Sequence, residues 1–254
     1  MRNWARWAAL AVELRYIWAD QFVGWRKREL LWLAFCLFSI LALSVYWGDS
    51  PAGLLAAATG MLYTVLAGKG KAACFFFGLV NAPLYAMLSW RHGYYGDVAL
   101  NVYYFAMMFP GLKAWCCHRG QTAEEGVERT RLTLRQALRL SATLLAFSIL
   151  LWGVLHALGG TRPFCDSLTN VLSVAAMALT VRRAIEQWFL WIAVDLIEVV
   201  MWWKVWAETG NSVSLLLMWL LFLANGVYLL LLWLRTARQH PLKVCRSYRN
   251  AAGG

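Results

Sequence analysis

The stretch "QWFLWIAVDLIEVVMWWKVW" at residues 187–206 decides the fold, because it is nearly as apolar as a lipid-facing helix yet carries two acids at mid-length. A bilayer core of roughly 30 Å is crossed by about 20 mostly apolar helical residues. Ionisable groups at that depth are costly and usually face the protein interior or a wet cavity. The stretch therefore predicts a transmembrane helix on which Asp195 and Glu198 are candidate functional residues.

The composition extends this interpretation to the whole chain. Of the 254 residues, 61% are hydrophobic and only 15% are charged, whereas a soluble domain is about half apolar and a quarter charged. The apolar runs are too long for barrel strands and show no alternation. We therefore predict an all-α membrane protein with about eight transmembrane helices, at residues 30–47, 51–67, 72–90, 98–117, 133–158, 164–182, 185–207 and 213–235.

The basic residues alternate along the predicted spans. They are dense before the first span, in the connector after the fourth and after the eighth, and they recur as Lys69 and Lys71 after the second and as Arg182 and Arg183 after the sixth. The other connectors carry at most one. By the positive-inside rule both termini are cytoplasmic. This placement accounts for the net charge of +11, so nucleic acid is not an expected partner.

The two ends of the chain differ in sequence pattern from the predicted spans. Tryptophans at near-helical spacing predict that residues 1–28 form an amphipathic helix on the membrane surface. Residues 236–254 are predicted to form a basic cytoplasmic tail. The adjacent Cys116, Cys117 and His118 have poor chelate spacing and no second ligand cluster, so we expect neither a metal nor a cofactor.

The chain also repeats itself. "MLYTV" at 61–65 is matched by "MALTV" at 177–181, "FGLVN" at 77–81 by "WIAVD" at 191–195, and "MMFPGL" at 107–112 by "FLANGV" at 222–227. Three helices in the same order predict duplicated units at 50–117 and 164–235, with a linker span at 132–158 and an extra span at 29–48. One span between two three-helix units makes the repeats parallel, an arrangement that places a ligand site between the halves near mid-membrane.

The candidate site follows from one helix face. Trp188, Trp191, Asp195 and Glu198 lie on a single stripe, and the repeat aligns Asn81 with Asp195. A carboxylate among indole rings fits a flat, polar ligand that carries positive charge. The alternative is that the tryptophans pack or lie at the interface, and that the acids pair with Lys204, Arg182 or Arg183. The further candidate substrate-binding residues are Asn81, Tyr85, Asn101, Tyr104, Gln187 and Asn225.

Three motifs resemble one known family. "WFLWIAVD" at 188–195 matches the WxxWxxxN/D signature of the PnuC family of vitamin transporters, and "GKGK" at 68–71 and "GYYGDVALNVYYFAMMFPG" at 93–111 are also similar to it. The resemblance covers about residues 50–235. Carried over by position, the ligand-binding motif of the family falls on Trp188, Trp191 and Asp195.

The resemblance implies a 3+1+3 helix arrangement similar to the SWEET sugar transporters, and a homotrimer in a bacterial inner membrane. It implies facilitated diffusion of nicotinamide riboside, a vitamin B3 precursor, which a cytoplasmic riboside kinase then traps by phosphorylation without required contact. Thiamine or riboflavin is the alternative cargo. The remaining expected partner is membrane lipid.

The sequence disfavours two other classes of function. An intramembrane enzyme could use Asp195 and Glu198 as paired acid and base, but the chain has no HExxH or GxSxG motif and no second mid-membrane acid from another helix. A channel or a non-transporting receptor would need a continuous polar pore or a large soluble domain. We therefore predict a transporter and not an enzyme.

Overall fold

The computed structural model describes residues 23–48, 50–91, 95–118, 126–159, 162–209, 213–239 and 243–244, together with Ala19 and Gly120. Within these residues the chain forms eight α-helices and one pair of two-residue strands. The helices are α1 Lys27–Trp47, α2 Pro51–Gly68, α3 Cys74–Arg91, α4 Tyr95–Cys117, α5 Leu134–Ala157, α6 Pro163–Val181, α7 Gln187–Thr209 and α8 Val213–Gln239; the strands are β1 Thr130–Arg131 and β2 Lys243–Val244. The predicted all-α class is confirmed.

Local sequence signals explain where the helices begin. Ser50 caps α2, because its Oγ accepts a hydrogen bond from the Gly53 amide at 3.1 Å and Pro51 occupies the first helical position. Thr133 and Gln136 form a capping box at the start of α5. The observed bounds agree with the predicted spans to within a few residues. The largest difference is at the end of α8, which continues past residue 235 to Gln239.

Five helical stretches among the described residues are long and apolar enough to cross a membrane. They are Lys27–Trp47, Pro51–Gly68, Leu134–Ala157, Pro163–Val181 and Leu216–Ala237. Helices α3, α4 and α7 are also 18 residues or longer but are not among these five apolar stretches. The fold is therefore that of a multi-pass membrane protein, while the number of eight spans stays a prediction for these three less apolar helices.

Six helices form a closed circuit of contacts. Helix α2 packs on α3, α3 on α4, α4 on α6, α6 on α7, α7 on α8, and α8 on α2. Helix α1 packs on α2 and α8, and α5 packs on α6. The six-helix circuit contains the six helices that the repeat predicts to be duplicated, and it leaves the predicted extra span and the predicted linker span outside it.

Two tryptophans join the predicted halves in matching ways. Trp115 near the end of α4 donates its indole N–H to the carbonyl of Thr180 at the end of α6, at 2.8 Å. Trp233 on α8 donates to the carbonyl of Gly68 at the end of α2, also at 2.8 Å. Both indoles are almost fully buried. In each case the last helix of one three-helix set holds the first helix of the other.

The connector between α4 and α5 ties two turns together at one end of the helices. The amide of Val127 donates to the carbonyl of Gly70, and the amide of Thr130 donates to the carbonyl of Arg183, each at 2.9 Å. Gly126 has φ +69°, and a Cβ there would lie 2.7 Å from the carbonyl oxygen of Lys69, so the position requires glycine. Strand β1 also pairs in parallel with β2. The basic turns of the sequence therefore meet at the same end.

Two predicted segments fall mostly outside the described residues. They are the amphipathic helix at 1–28, of which the structure describes Ala19 and 23–28, and the basic tail at 236–254, of which it describes 236–239 and 243–244.

Candidate functional site

The site is built on the face of α7 that the sequence singled out. The side chain of Trp188 is 2% exposed and that of Asp195 is 9% exposed, while Trp191 and Glu198 are half-buried. On a neighbouring face of the same helix, Trp203 is 55% exposed. The helix therefore directs its tryptophan and acid stripe toward the other helices, as residues spaced three and four apart allow.

Trp188 is held by a second tryptophan. Its ring meets Trp233 of α8 edge to face, with the centroids 5.8 Å apart, and the Arg129 guanidinium lies over the Trp233 ring at 5.0 Å. The buried indole N–H of Trp188 has no hydrogen-bond partner among the described residues. Since buried donors are normally paired, this N–H is available to an acceptor on a ligand.

Trp191 joins three helices. Its indole N–H donates to the Oγ1 of Thr180 on α6 at 3.3 Å, and its ring lies 6.2 Å from the ring of Tyr104 on α4. Tyr104 hydrogen-bonds in turn with Ser173 on α6. These contacts fix the plane of the Trp191 ring beside the carboxylate one turn away.

Asp195 is the buried acid without a partner. Its carboxylate accepts no hydrogen bond and forms no ion pair with any described residue. A Cβ built on Gly226 of α8 would lie 3.4 Å from its Oδ2, so α7 and α8 approach each other closely at this level. A buried carboxylate with neither a cation nor a donor is expensive, and such groups mark ligand and ion pathways in membrane proteins.

Glu198 differs from Asp195 because it has a partner on its own helix. The Trp202 indole donates a hydrogen bond to the Glu198 carboxylate. Glu198 also interacts electrostatically with Asp97 and Asp166, which occupy the first turns of α4 and α6. Arg162 is the cation within reach of Asp166 and Glu198. These acids surround the end of the helices that lies opposite the basic turns.

The first predicted half contributes differently. Asn81 donates its amide N–H to the carbonyl of Ala56 on α2 at 2.7 Å, beside Gly60, and so fastens α3 to α2. Tyr85, one turn further along α3, is 42% exposed and interacts electrostatically with Asp97 and Glu198. Tyr85 therefore belongs to the acidic end, while the Asn81 donor is used in helix packing.

Two other predicted residues satisfy the backbone of their own segment. Asn101 is buried and donates to the carbonyl of Asp97 one turn earlier, at 2.8 Å. Gln187 is 1% exposed and donates to the carbonyl of Ala184 in the turn before α7, at 3.0 Å. The structure brings Tyr104, but not these two amide N–H groups, into direct contact with the stripe on α7.

Asn225 on α8 is fully buried, and only one of the two polar atoms of its side chain has a hydrogen-bond partner among the described residues. Its Oδ1 accepts a hydrogen bond from the Trp32 indole at 3.0 Å, whereas its Nδ2 has no partner among the described residues. It precedes Gly226, where an added Cβ would lie 3.4 Å from Oδ2 of Asp195. Asn225 thus adds a free donor at the level of the buried carboxylate.

The alternative pairing of the acids does not occur. Neither Asp195 nor Glu198 forms an ion pair with Lys204, Arg182 or Arg183 in the part of the chain that the structure describes. Arg183 instead donates to the carbonyls of Glu128 and Ala114, at 3.0 and 3.2 Å. Lys204 is exposed on α7.

The arrangement can bind a flat cationic ring. Indole faces attract cations and electron-poor rings, and the unpaired Asp195 carboxylate supplies the countercharge. The free N–H groups of Trp188 and Asn225 can serve ligand oxygens. The sequence did not predict the hydrogen bonds that Trp32, Thr180 and Ser173 make to the candidate site residues Asn225, Trp191 and Tyr104. The one sequence feature that could have indicated them is a polar or amphipathic side chain inside an apolar span.

Comparison with known proteins agrees with this description. The family model described as "Nicotinamide mononucleotide transporter" matches residues 50–235. The chain is 37% identical to the nicotinamide riboside transporter PnuC of Neisseria mucosa, over 87% of this chain and 86% of that one. It is 30% identical to the protein of the same name from Haemophilus influenzae, over 82% and 91% of the two chains.

A solved structure is also similar. The crystal structure of the vitamin B3 transporter PnuC superposes with a TM-score of 0.75 and 35% sequence identity, covering 88% of this chain and 97% of the other. The family match spans more than half of the chain, and the relatives are aligned over most of their own length. The chain therefore belongs to the PnuC family of membrane transporters.

Proposed function

We propose that this protein carries nicotinamide riboside across the membrane by facilitated diffusion, with Trp188, Trp191 and Asp195 as the centre of its binding site. The observation that carries the proposal is the buried Asp195 carboxylate, which has no ion-pair partner among the described residues and lies on the same face of α7 as Trp188 and Trp191. The names of the two relatives support the choice of cargo.

The chemistry of the riboside matches the groups on the site. Its pyridinium ring is flat and permanently cationic, which suits the indole faces and the Asp195 carboxylate. Its carboxamide and ribose oxygens are acceptors for the free N–H groups of Trp188 and Asn225. Binding would relieve the cost of the uncompensated carboxylate and of both unpaired donors.

The same charges disfavour the phosphorylated relative of this cargo. Nicotinamide mononucleotide carries a phosphate group. To reach the site from the acidic end of the helices, this phosphate would pass Asp97, Asp166 and Glu198, where Arg162 is the nearby cation. Repulsion between like charges raises the free energy of that approach. We therefore expect the riboside to bind more tightly than the mononucleotide, although the family description names the latter.

The proposal includes the arrangement and setting of the fold. Units 50–117 and 164–235 are parallel repeats joined by α5 in a 3+1+3, SWEET-like order, which the closed six-helix circuit and the paired Trp115 and Trp233 contacts support. The basic end faces the cytoplasm of a bacterium, in the inner membrane, so that both termini are cytoplasmic. The functional unit is a homotrimer, and phosphorylation of the imported riboside by a cytoplasmic kinase makes uptake one-directional.

Isothermal titration of the purified protein in detergent tests the cargo. Nicotinamide riboside is titrated into the wild type and into Asp195→Ala, with nicotinamide mononucleotide, thiamine and riboflavin as comparisons. We expect saturable binding of the riboside by the wild type and binding about 100-fold weaker in the variant. Binding of thiamine or riboflavin instead of the riboside would preserve the site and replace the cargo.

A transport assay separates the proposed mechanism from the other classes. Liposomes that contain the protein should equilibrate labelled riboside across the membrane without an ion gradient, and the recovered label should be chemically unchanged. Accumulation of the riboside above its external concentration, in protein-containing liposomes that hold no kinase, would contradict facilitated diffusion. A chemically altered product would indicate an intramembrane enzyme.

A further inference from the structure

The Asn225 amide is held at one end and free at the other. Its Oδ1 accepts from the Trp32 indole N–H at 3.0 Å, while its buried Nδ2 has no partner among the described residues. An indole N–H can only donate, so this bond requires the amide oxygen, and not the amide nitrogen, to face Trp32. The –NH2 group of Asn225 is consequently directed away from α1.

Trp32 is itself fixed in place. Its ring packs against Tyr228, three residues after Asn225 on α8, with the centroids 5.5 Å apart, and against Phe35 on its own helix at 5.8 Å. The side chain also borders a cluster formed by α1 and α2 that includes the buried Cys36, Ile40, Met61 and Val65. The indole therefore has little freedom to follow the amide if the amide turns.

A buried ion pair anchors α1 one turn before Trp32. Lys69, at the end of α2, places its Nζ 2.8 Å from the Oε2 of Glu29 and donates to the carbonyl of Gly24 at 2.9 Å. Lys69 also lies over the Trp25 ring at 5.6 Å. Because Glu29 and Trp32 are three residues apart, both face the six-helix circuit. Helix α1 is thus attached to the circuit by polar contacts on the face that carries Trp32.

We infer that Trp32 is a positioning residue of the binding site, which orients the Asn225 amide so that its –NH2 group donates to an acceptor oxygen of the ligand. Helix α1, which lies outside the predicted duplication, is then part of the site. Without the Trp32 donor, the amide can present either its oxygen or its nitrogen. This inference rests on the proposed function, since it takes the riboside, with its carboxamide and ribose oxygens, as the ligand.

A double-mutant cycle tests the inference. Nicotinamide riboside is titrated into the wild type, Trp32→Phe, Asn225→Ala and the double variant, with Trp219→Phe as the matched control. Trp219 lies on α8 and packs on Phe222 at 5.9 Å, so this control makes the same chemical change on the same helix as Asn225. The melting temperature of each unliganded variant is recorded alongside.

We expect Trp32→Phe to weaken riboside binding by roughly five- to tenfold and Trp219→Phe to leave it unchanged. Asn225→Ala should weaken binding by at least as much, and adding Trp32→Phe to it should cause no further loss, because the two residues act through one contact. Trp32→Phe should lower the melting temperature modestly under either role, because it removes one buried hydrogen bond. A purely structural role for Trp32 is distinguished by losses of affinity that add in the double variant.

Several results would overturn the inference. Wild-type affinity in Trp32→Phe, or additive losses in the double variant, would show that Trp32 does not act through Asn225. If Trp32→Phe does not fold, wild-type affinity in a folded Asn225→Ala variant would have the same consequence. Failure of the wild type to bind the riboside would instead refute the proposed function, so the two failures are distinguishable.

Discussion

Helices α3 and α7 are equivalent in the proposed repeat, yet their matching polar residues are used in opposite ways. On α3, Asn81 donates to the carbonyl of Ala56 and fastens its helix to α2. On α7, Asp195 is buried without a partner among the described residues. An amide can satisfy a neighbouring backbone carbonyl, whereas a carboxylate has no hydrogen to donate to it. The difference in residue type therefore gives a packing contact at Asn81 and a proposed binding group at Asp195, at equivalent positions.

The ends of the two halves, in contrast, remain alike. Trp115 and Trp233 each donate to a carbonyl in the last turn of the first helix of the other set, at the same distance of 2.8 Å. Both contacts lie at the end where the basic turns meet. The proposed duplication thus retains its symmetry where the helices are held together and loses it at the proposed ligand site.

The largest expected difference between α3 and α7 is the loss of riboside affinity when their matching polar residues are replaced. We expect Asp195→Ala to weaken riboside binding by about 100-fold, because it removes a charge-assisted contact with the cationic ligand. Asn81→Ala is the matched control on α3 and should change the affinity by less than about twofold. Calorimetric titration measures both, and equal losses in the two variants would show that the halves contribute equally to binding.

Trp191 should have the next largest effect. We expect Trp191→Ala to weaken riboside binding by roughly 10- to 30-fold, because a desolvated contact between an aromatic ring and a cation contributes about 2 kcal/mol. The exposed Trp203 is the control on the same helix, and Trp203→Ala should bind normally. Tryptophan fluorescence quenching by the ligand can be followed in both variants. A loss in Trp203→Ala of the same size would contradict the assignment of the binding face.

Asn81 should matter for stability instead of affinity. We expect Asn81→Ala to lower the free energy of unfolding by about 1–2 kcal/mol, since the carbonyl of Ala56 loses its side-chain donor in the α2–α3 contact. The change is measured by thermal unfolding in detergent without ligand. If the Asn81→Ala variant has normal stability but binds the riboside poorly, Asn81 acts in the binding site and not in the packing contact.

The smallest effect is expected from the paired tryptophans. Trp115→Phe and Trp233→Phe should each reduce stability by about 1 kcal/mol, because each removes one buried hydrogen bond and keeps an aromatic ring. Thermal unfolding should give similar values for the two variants. A difference of several kcal/mol would indicate that the two contacts are not equivalent, and would weaken the case for the repeat.

The two helices outside the circuit show the limit of pattern reasoning. Both α1 and α5 are apolar runs of suitable length, and both were predicted from the sequence. Yet α1 contacts two helices of the circuit through Glu29 and Trp32, whereas α5 packs against α6 and has a broadly exposed apolar surface. Periodicity could not separate them, because the partner of a lipid-facing helix is not encoded in its own hydropathy.

The sequence by itself determined the all-α membrane class, the approximate bounds of the eight helices and the stripe on α7. These features follow from local properties, namely the length of apolar runs and the 3.6-residue period of a helix. Only the tertiary structure decided that Asp195 has no partner among the described residues, that Asn81 and Asn101 donate to backbone carbonyls, and that Trp32 donates to Asn225. Hydrogen-bond partners between helices lie up to 193 residues apart along the chain, so no local pattern reports them.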